Sequence, residues 1–286
     1  MTLEISSAGT GAIGSDDRGR KGDWIRLAAD AVEFERMEAF FSGPAYENHR
    51  HDTYAIGRTL SGVQSFHYRG AARNSLPGKT TIVLHPDEMH DGQSGAEGGF
   101  RYRMVYIHPA EIQGVLGGRP LPFIKDGIST DPRLRAAVSA LLPDMHHRIE
   151  LLEYEDAVYD LARALDAASM QEHRDPRRII DYRSAERARD YIEAEPSGPI
   201  SLQHLERISG RDRWSLSRDF RQLYGTSPHR YLVMRRLAAV RTSLRAGIAP
   251  AQAALDAGFV DQSHMIRHFT RTFGVSPSRW LRMLRS

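Results

Sequence analysis

The 286-residue chain contains no cysteine. Disulfides, thiolate nucleophiles and cysteine-ligated zinc are therefore excluded, and the composition suits a reducing compartment. Long hydrophobic runs are missing too, since no stretch approaches the roughly 20 apolar residues needed to cross a bilayer. The opening "MTLEISSAGTGAIGSDDRGRKGD" has no basic segment followed by an apolar run, so no signal peptide is expected. No phosphate-cradling loop of the G-x-x-x-x-G-K type is found, and no Ser-His-Asp set stands out. A soluble cytoplasmic protein without a membrane partner or enzymatic activity is the expectation. Lysine also disappears after residue 180. From Asp181 to Ser286 stand 18 Arg, no Lys and 10 acidic residues, a net +8, whereas the whole chain carries +3 and residues 1–180 carry −5. A basic third on an otherwise acidic chain points to a polyanion partner for that third alone.

What is present divides along the chain. Gly, Ser and charge over residues 1–22 predict a mobile tail. Over residues 24–109, "WIRLA", "VEFERME", "TYAIGRTL", "VQSFHYRG", "TTIVLHP" and "RYRMVYIHP" are separated by Gly, Pro, Asn and Asp clusters. Short strands at this spacing predict an antiparallel sandwich or barrel. From Pro120 apolar residues fall at helical spacing, as in Val158, Leu161, Leu165 and Ala168. "RDPRRIIDYRS" reads as a linker, and the remainder as helix.

Two stretches in that remainder echo each other: "GRDRWSLSRDFRQLYGTSP" (Gly210 to Pro228) and "GFVDQSHMIRHFTRTFGVSP" (Gly258 to Pro277), with matched positions from Asp212 and Asp261 onward at a constant offset of 49 residues. Arg218 maps to Arg267, Gly225 to Gly274, Arg230 to Arg279 and Tyr231 to Trp280. Asp212 and Asp261 are placed to cap helices, Gly225 and Gly274 to end them, and Ser227-Pro228 and Ser276-Pro277 to start the next. Leu216, Phe220 and Leu223 form one inward stripe, and Met265, Phe269 and Phe273 the other. Trp214, Ser217, Arg218 and Arg221 fall opposite the first stripe, and Gln262, Ser263, Ile266, Arg267 and Thr270 lie on or near the free face of the second. A short helix and a tight turn precede each copy, which is the helix-turn-helix arrangement whose second helix enters a major groove. Between the copies "PHRYLVMRRLAAVRTSLRAG" reads as one helix of about 18 residues, or about 27 Å, long enough to hold two recognition helices roughly one duplex turn apart.

These motifs, above all "LDAGFVDQSHMIRHFTRTFGVSPSRW", resemble the signature of the AraC/XylS family of bacterial transcription regulators. The resemblance runs from about residue 183 to the C-terminus and implies a seven-helix DNA-binding domain of two helix-turn-helix units joined by a linker helix. It places DNA contacts on Arg213, Trp214, Ser217, Arg218 and Arg221, and on Gln262, Ser263, Ile266 and Arg267. Glu206 and Ala253 depart from the usual residues, Ala249-Pro250 supplies no side-chain cap, and Ile266 replaces a position that is usually polar.

"HRHDTYAIGRTLSG" and "PGKTTIVLHPDEMHDG" resemble a cupin barrel, the sensor domain of many members of that family. The cupin histidine positions fall on His49, His51 and His90. The glutamate expected shortly after His51 is missing, its place taken by Thr53, Tyr54, Ala55 and Ile56. The implied effector site comprises His49, His51, Tyr54, Arg58 and His90. No cofactor is expected, although His49, His51 and His90 alone can bind a divalent Zn²⁺, Fe²⁺ or Ni²⁺. His67, His85 and His108 read as ordinary strand or turn residues.

The expected fold is multidomain: a tail (1–22), an all-β cupin-like domain (23–115), a helical segment that could serve dimerisation (116–173), a linker (174–182) and an all-α DNA-binding domain (183–286). Its two helix-turn-helix units are expected at about 201–224 and 250–273. The expected function is that of a sequence-specific, ligand-sensing transcription regulator. Its partners would be double-stranded DNA, a small-molecule effector, a second copy of the chain and RNA polymerase. A metal-dependent cupin enzyme with a regulatory DNA-binding domain and a ligand-independent regulator with a scaffold barrel are the alternatives.

Overall fold

In the computed structural model residues 22–30, 34–169 and 180–285 are described. The expected tail, apart from Gly22, and most of the expected linker lie outside them.

Alternation of apolar and polar residues builds two antiparallel sheets. The first runs in the order β1 (Trp24–Leu27), β2 (Glu35–Phe41), β9 (Phe100–Ile107), β4 (Tyr54–Ser61), β7 (Thr81–Leu84), β10 (Ile128–Ser129). The second runs β3 (Pro44–His49), β8 (His90–Ser94), β5 (Gln64–Tyr68), β6 (Ala71–Ser75). On β2 and β9, Met37 faces Met104 and Ala39 faces Tyr102. With Phe41, Phe66, Tyr68 and Phe100 they form one apolar cluster shared by both sheets. The intervening residues Glu38, Arg101 and Arg103 point the other way, where both arginines hold Glu38 at 2.6 Å. The sheets do not close into the cupin barrel expected from the sequence. β3 is an edge strand with two register shifts, and its outward side meets the end of a helix rather than another strand: Glu47 N–H donates to Gly274 O at 3.1 Å and, just past the strand, Arg50 N–H to Arg271 O at 3.3 Å.

Tyr54 and Ile56 of β4, Val83 of β7 and Val105 and Ile107 of β9 face outward beneath three helices, α1 (Pro109–Leu116), α2 (Pro132–Leu141) and α3 (Leu151–Ser169). Leu134, Val138, Leu161 and Leu165 complete this second cluster. The segment anticipated as a dimerisation element thus packs one face on its own sheet, leaving Leu151, Leu152 and Tyr159 of α3 exposed.

Seven helices follow residue 180 among the described residues: α4 (Tyr182–Ala194), α5 (Leu202–Ser209), α6 (Arg213–Tyr224), α7 (Pro228–Arg245), α8 (Pro250–Asp256), α9 (Gln262–Phe273) and α10 (Pro277–Arg285). Helices α4 to α6 and the start of α7 share a separate core around Leu216, Phe220 and Tyr231. Met265, Phe269 and Trp280 of α9 and α10, with Leu237 and Val240 of α7, belong instead to the cluster that fills the sandwich. The second helix-turn-helix unit is therefore continuous with the β domain's core.

Candidate nucleic-acid interface and effector cavity

Each recognition helix is punctuated as its sequence requires. The Asp212 carboxylate accepts from the N–H groups of Trp214 and Ser215, and Asp261 accepts from His264 N–H. Gly225 (φ 71°) and Gly274 (φ 65°) close α6 and α9 in the left-handed region. Ser227 and Ser276 receive Arg230 N–H and Arg279 N–H, each at 3.3 Å, and start α7 and α10. Leu216, Phe220, Met265 and Phe269 are fully buried, whereas Arg213, Trp214, Arg218, Arg221, Gln262, Ser263 and Arg267 are exposed. Two anticipated contacts fall elsewhere. Ser217 is buried beneath Arg221, whose Nη1 donates to Ser217 O at 2.9 Å and to its Oγ at 2.7 Å. Ile266 is half-buried against the core of the second unit.

The repeat reappears in how the helices meet the sandwich. An added Cβ on Gly225 would stand 2.7 Å from Pro86; on Gly274 it would stand 2.8 Å from both Glu47 O and His49 Nδ1. Both helix-ending glycines are thus pressed against the β domain. Their companions follow suit. Arg230 pairs with Asp87, itself in the left-handed region at φ 65°, and Arg279 reaches Pro44 O at 3.4 Å.

Between the open end of the sandwich and helix α7 lies a cavity of about 480 Å³. Its apolar wall includes Met37, Phe66, Tyr102 and Met104, and Arg235, Arg241 and Arg245 of α7 line the other side. Arg235 donates to Asp52 at 2.7 Å and stacks on Tyr231 at 4.9 Å. Arg241 pairs with Glu35 and stacks on Phe273 and Trp280, each at 5.1 Å. The Nε atoms of both arginines are buried without a protein acceptor among the described residues. Such donors are the groups an anionic guest would satisfy.

His49, His51 and His90 line the same cavity, all buried, with ring centres 4.2, 4.9 and 6.1 Å apart. Burial, and then the neighbouring His51, pushes His49 down to about 4. His51 is lowered by burial, and His90 falls well below the usual imidazole range through burial and then its two neighbours. His108, at 3.4 Å from Arg235, is pushed to about 4 by burial first and the guanidinium second. The cavity histidines are therefore neutral at neutral pH.

Residues 31–162 match the model of the AraC-like ligand binding domain, and residues 205–283 that of a helix-turn-helix domain. The chain belongs to the AraC/XylS family. It is a DNA-binding transcription regulator with a ligand-sensing domain. A curated relative is an uncharacterized HTH-type transcriptional regulator, YbfI of Bacillus subtilis (strain 168), 22% identical over 232 residues, covering 77% of this chain and 81% of that one. Among solved structures, ToxT from Vibrio cholerae aligns with a TM-score of 0.61 at 14% identity, over 93% of this chain and 100% of that one. Unsaturated fatty acid bound ToxT from V. cholerae strain SCE256 aligns at 0.60 and 13% identity, over 93% and 96%. Among the described residues no helix of this AraC-family regulator is long and apolar enough to cross a membrane.

Two of the five anticipated effector residues of the regulator do not face the cavity. Tyr54 and Arg58 share one parity on β4, and Ala55, which does line the cavity, has the other. Tyr54 is fully buried under the helices and donates to Pro122 O at 2.6 Å, while Arg58 donates to Leu142 O at 2.8 Å. His108, read from sequence as an ordinary turn residue, does line the cavity, and so do the arginines of α7. Sequence gave no signal for these residues, because Arg235 meets Asp52 across 183 positions of chain.

Proposed function

We propose that this regulator senses an amphipathic organic anion, held in the cavity with its head group on Arg235 and Arg241 and its tail among Met37, Phe66, Tyr102 and Met104. The observation that carries this reading is that buried guanidinium donors from the linker helix lie over an apolar wall of the sensor domain. The volume falls within the range of small-molecule sites, about 300–1,000 Å³. The fatty acid reported for ToxT is a ligand of the same general kind. A head group there competes with Asp52 and Glu35 for α7. Effector binding thereby alters how firmly the second helix-turn-helix unit is held, and with it the affinity for operator DNA.

Sequence-specific readout is assigned to Arg213, Trp214, Arg218 and Arg221 of α6 and to Gln262, Ser263 and Arg267 of α9, with RNA polymerase a partner at the promoter. The exposed Leu151, Leu152 and Tyr159 support a homodimer through α3. The protein works in the cytoplasm and catalyses no reaction.

Oleate and oleyl alcohol test the reading, because they differ only in the head group. Oleate should raise the melting temperature, by a free energy of about 2.7 kcal/mol at a hundredfold excess over its Kd, and should shift operator affinity. The alcohol should do neither to the same extent, and Arg235→Ala should erase the difference. Equal responses to acid and alcohol would remove the anion from the proposal. Operator binding indifferent to both would favour the scaffold alternative.

A further inference from the structure

We propose that the regulator carries a second small-molecule site, on the opposite face of the first sheet from the effector cavity, where Arg58 of β4, Thr81 of β7 and Arg135 of α2 hold the phosphate group of a compact phosphorylated metabolite. Residues of β4 and β7 alternate between the two faces of that sheet. Ala55 and Ile82 face the sandwich interior, whereas Ile56 and Val83 face the helices. Arg58 has the parity of Ile56 and Thr81 that of Val83, so both fall on the helix side. Between them and α2 lies a second cavity, of about 280 Å³. Arg58 and Arg135 are its charged lining residues, and no carboxylate lines it among the described residues.

Arg58 lacks a counter-ion. In register it stands opposite Arg103 of β9, and like charges directly opposite one another destabilise a sheet. Arg103 is compensated, since it donates to Glu38 at 2.6 Å and lies 3.5 Å from Asp144. Arg58 finds only neutral acceptors, Leu142 O at 2.8 Å and Ser139 Oγ at 3.3 Å. Its Nε is buried without an acceptor among the described residues. Burial, and then Arg103, draw its pKa below the ordinary guanidinium range. Ser139 gives its own proton to Arg135 O at 2.8 Å, which leaves its oxygen to accept from Arg58 and hold the guanidinium in place.

Thr81 is buried beside Arg58, and its hydroxyl is engaged by no hydrogen bond among the described residues. Arg135 is exposed at the rim, with no ion pair among the described residues, and can close on a guest from the helix side. An unpaired buried N–H, an unpaired hydroxyl and an uncompensated positive charge around one cavity are the groups an oxyanion satisfies. A phosphate monoester brings about −1.5 to −2 charge at pH 7 and three acceptor oxygens, which matches two guanidinium groups and a hydroxyl on two facing walls. A single carboxylate has too few oxygens for both walls. The volume lies near the lower limit of small-molecule sites, about 300–1,000 Å³, so the phosphate sits on a frame of a few carbons, beside Ala136 and Val138.

This site does not rest on the effector reading, and one variant separates the two. Titration calorimetry of the full chain with glycerol phosphate at constant ionic strength tests it, with glycerol and succinate for comparison. We expect saturation at one molecule per chain, no heat from glycerol and weaker binding of succinate. Thr81→Val keeps the branched shape and removes a hydroxyl that bonds nothing, and Arg135→Ala alters an exposed side chain, so both variants keep the fold. Each should weaken glycerol phosphate roughly tenfold, as loss of a charge-assisted contact does. Arg235→Ala, in the effector cavity, should leave that binding unchanged. Hydrogen exchange should slow in β7 and α2 and stay the same in α6 and α9.

Absence of saturable binding overturns the site, as does binding that survives both substitutions or is lost with Arg235. Protection that appears in α6 or α9 instead would place the anion on the DNA-binding surface and overturn it too. Succinate bound as tightly as glycerol phosphate would remove the phosphate from the proposal.

Discussion

Arg221 and Arg267 stand on equivalent faces of the two recognition helices but in different circumstances. Arg221 is bonded to Ser217 on its own helix, whereas Arg267 is exposed and engaged by no hydrogen bond among the described residues. A guanidinium already committed to its helix must break those bonds before it reaches a base, and a free one need not. Arg267→Ala should therefore cost about 1–3 kcal/mol of operator affinity, within the range of one bidentate base contact, and Arg221→Ala should cost less. Fluorescence anisotropy with an operator duplex measures both. Unchanged affinity for the Arg267 variant would take that side chain out of the interface.

At the scale of the element, the end of α9 is the most constrained point. Gly274 has φ 65° and no room for a methyl group, whereas Gly210, which ends α5 at φ 70°, has nothing within 4 Å of its missing Cβ. Replacing either by alanine costs on the order of 1 kcal/mol in backbone strain. Gly274→Ala should cost clearly more, because the methyl group collides with Glu47 O and the His49 ring and pushes the second unit from the sandwich. Denaturant melts of the two variants give the comparison, and equal losses would show that the contact is soft. The helices themselves were legible in the sequence. Capping residues, stripes at helical spacing and the repeat are local features, and Asp212, Gly225, Ser227 and their partners do what their chemistry requires. The convergence of His49, His51 and His90 was anticipated too, through resemblance. What escaped the sequence is parity and distance. Tyr54 and Arg58 face away because β4 begins its alternation at Tyr54, and no linear pattern joins Arg235 to Asp52. The sequence left sandwich and barrel both open; the choice between them was hidden, since it depends on which partner takes up the outward amides at β3.

For the whole molecule, the contact between sensor and DNA-binding units has a built-in response to acid. His85 and His108 are both held near 4 by burial. His108 faces Arg235 and Asp52, and His85 lies beside Gly225 and feels Arg69. Their folded values lie below the unfolded 6.5, so the unfolded chain binds protons first as pH drops. Stability is thus full above 6.5 and declines on the way to 4, by about 1.4 kcal/mol per pH unit for each histidine. Melts between pH 7.5 and 4.5 should show such a slope, to which the buried His49, His51 and His90 add, and His108→Gln should reduce it by one histidine's share. A slope unaltered by that change would place the acid sensitivity elsewhere.

The sandwich meets the repeat twice at matching positions, Gly225 with Arg230 and Gly274 with Arg279. Recognition helices gripped in this way behave like caliper jaws whose gap is set by the sensor body as well as by the 18-residue helix between them. Promoter choice then becomes a question of phasing. A duplex whose two half-sites are out of step with the gap should bind poorly however good its bases, and on the reading proposed above a guest in the cavity should change which phasings are accepted.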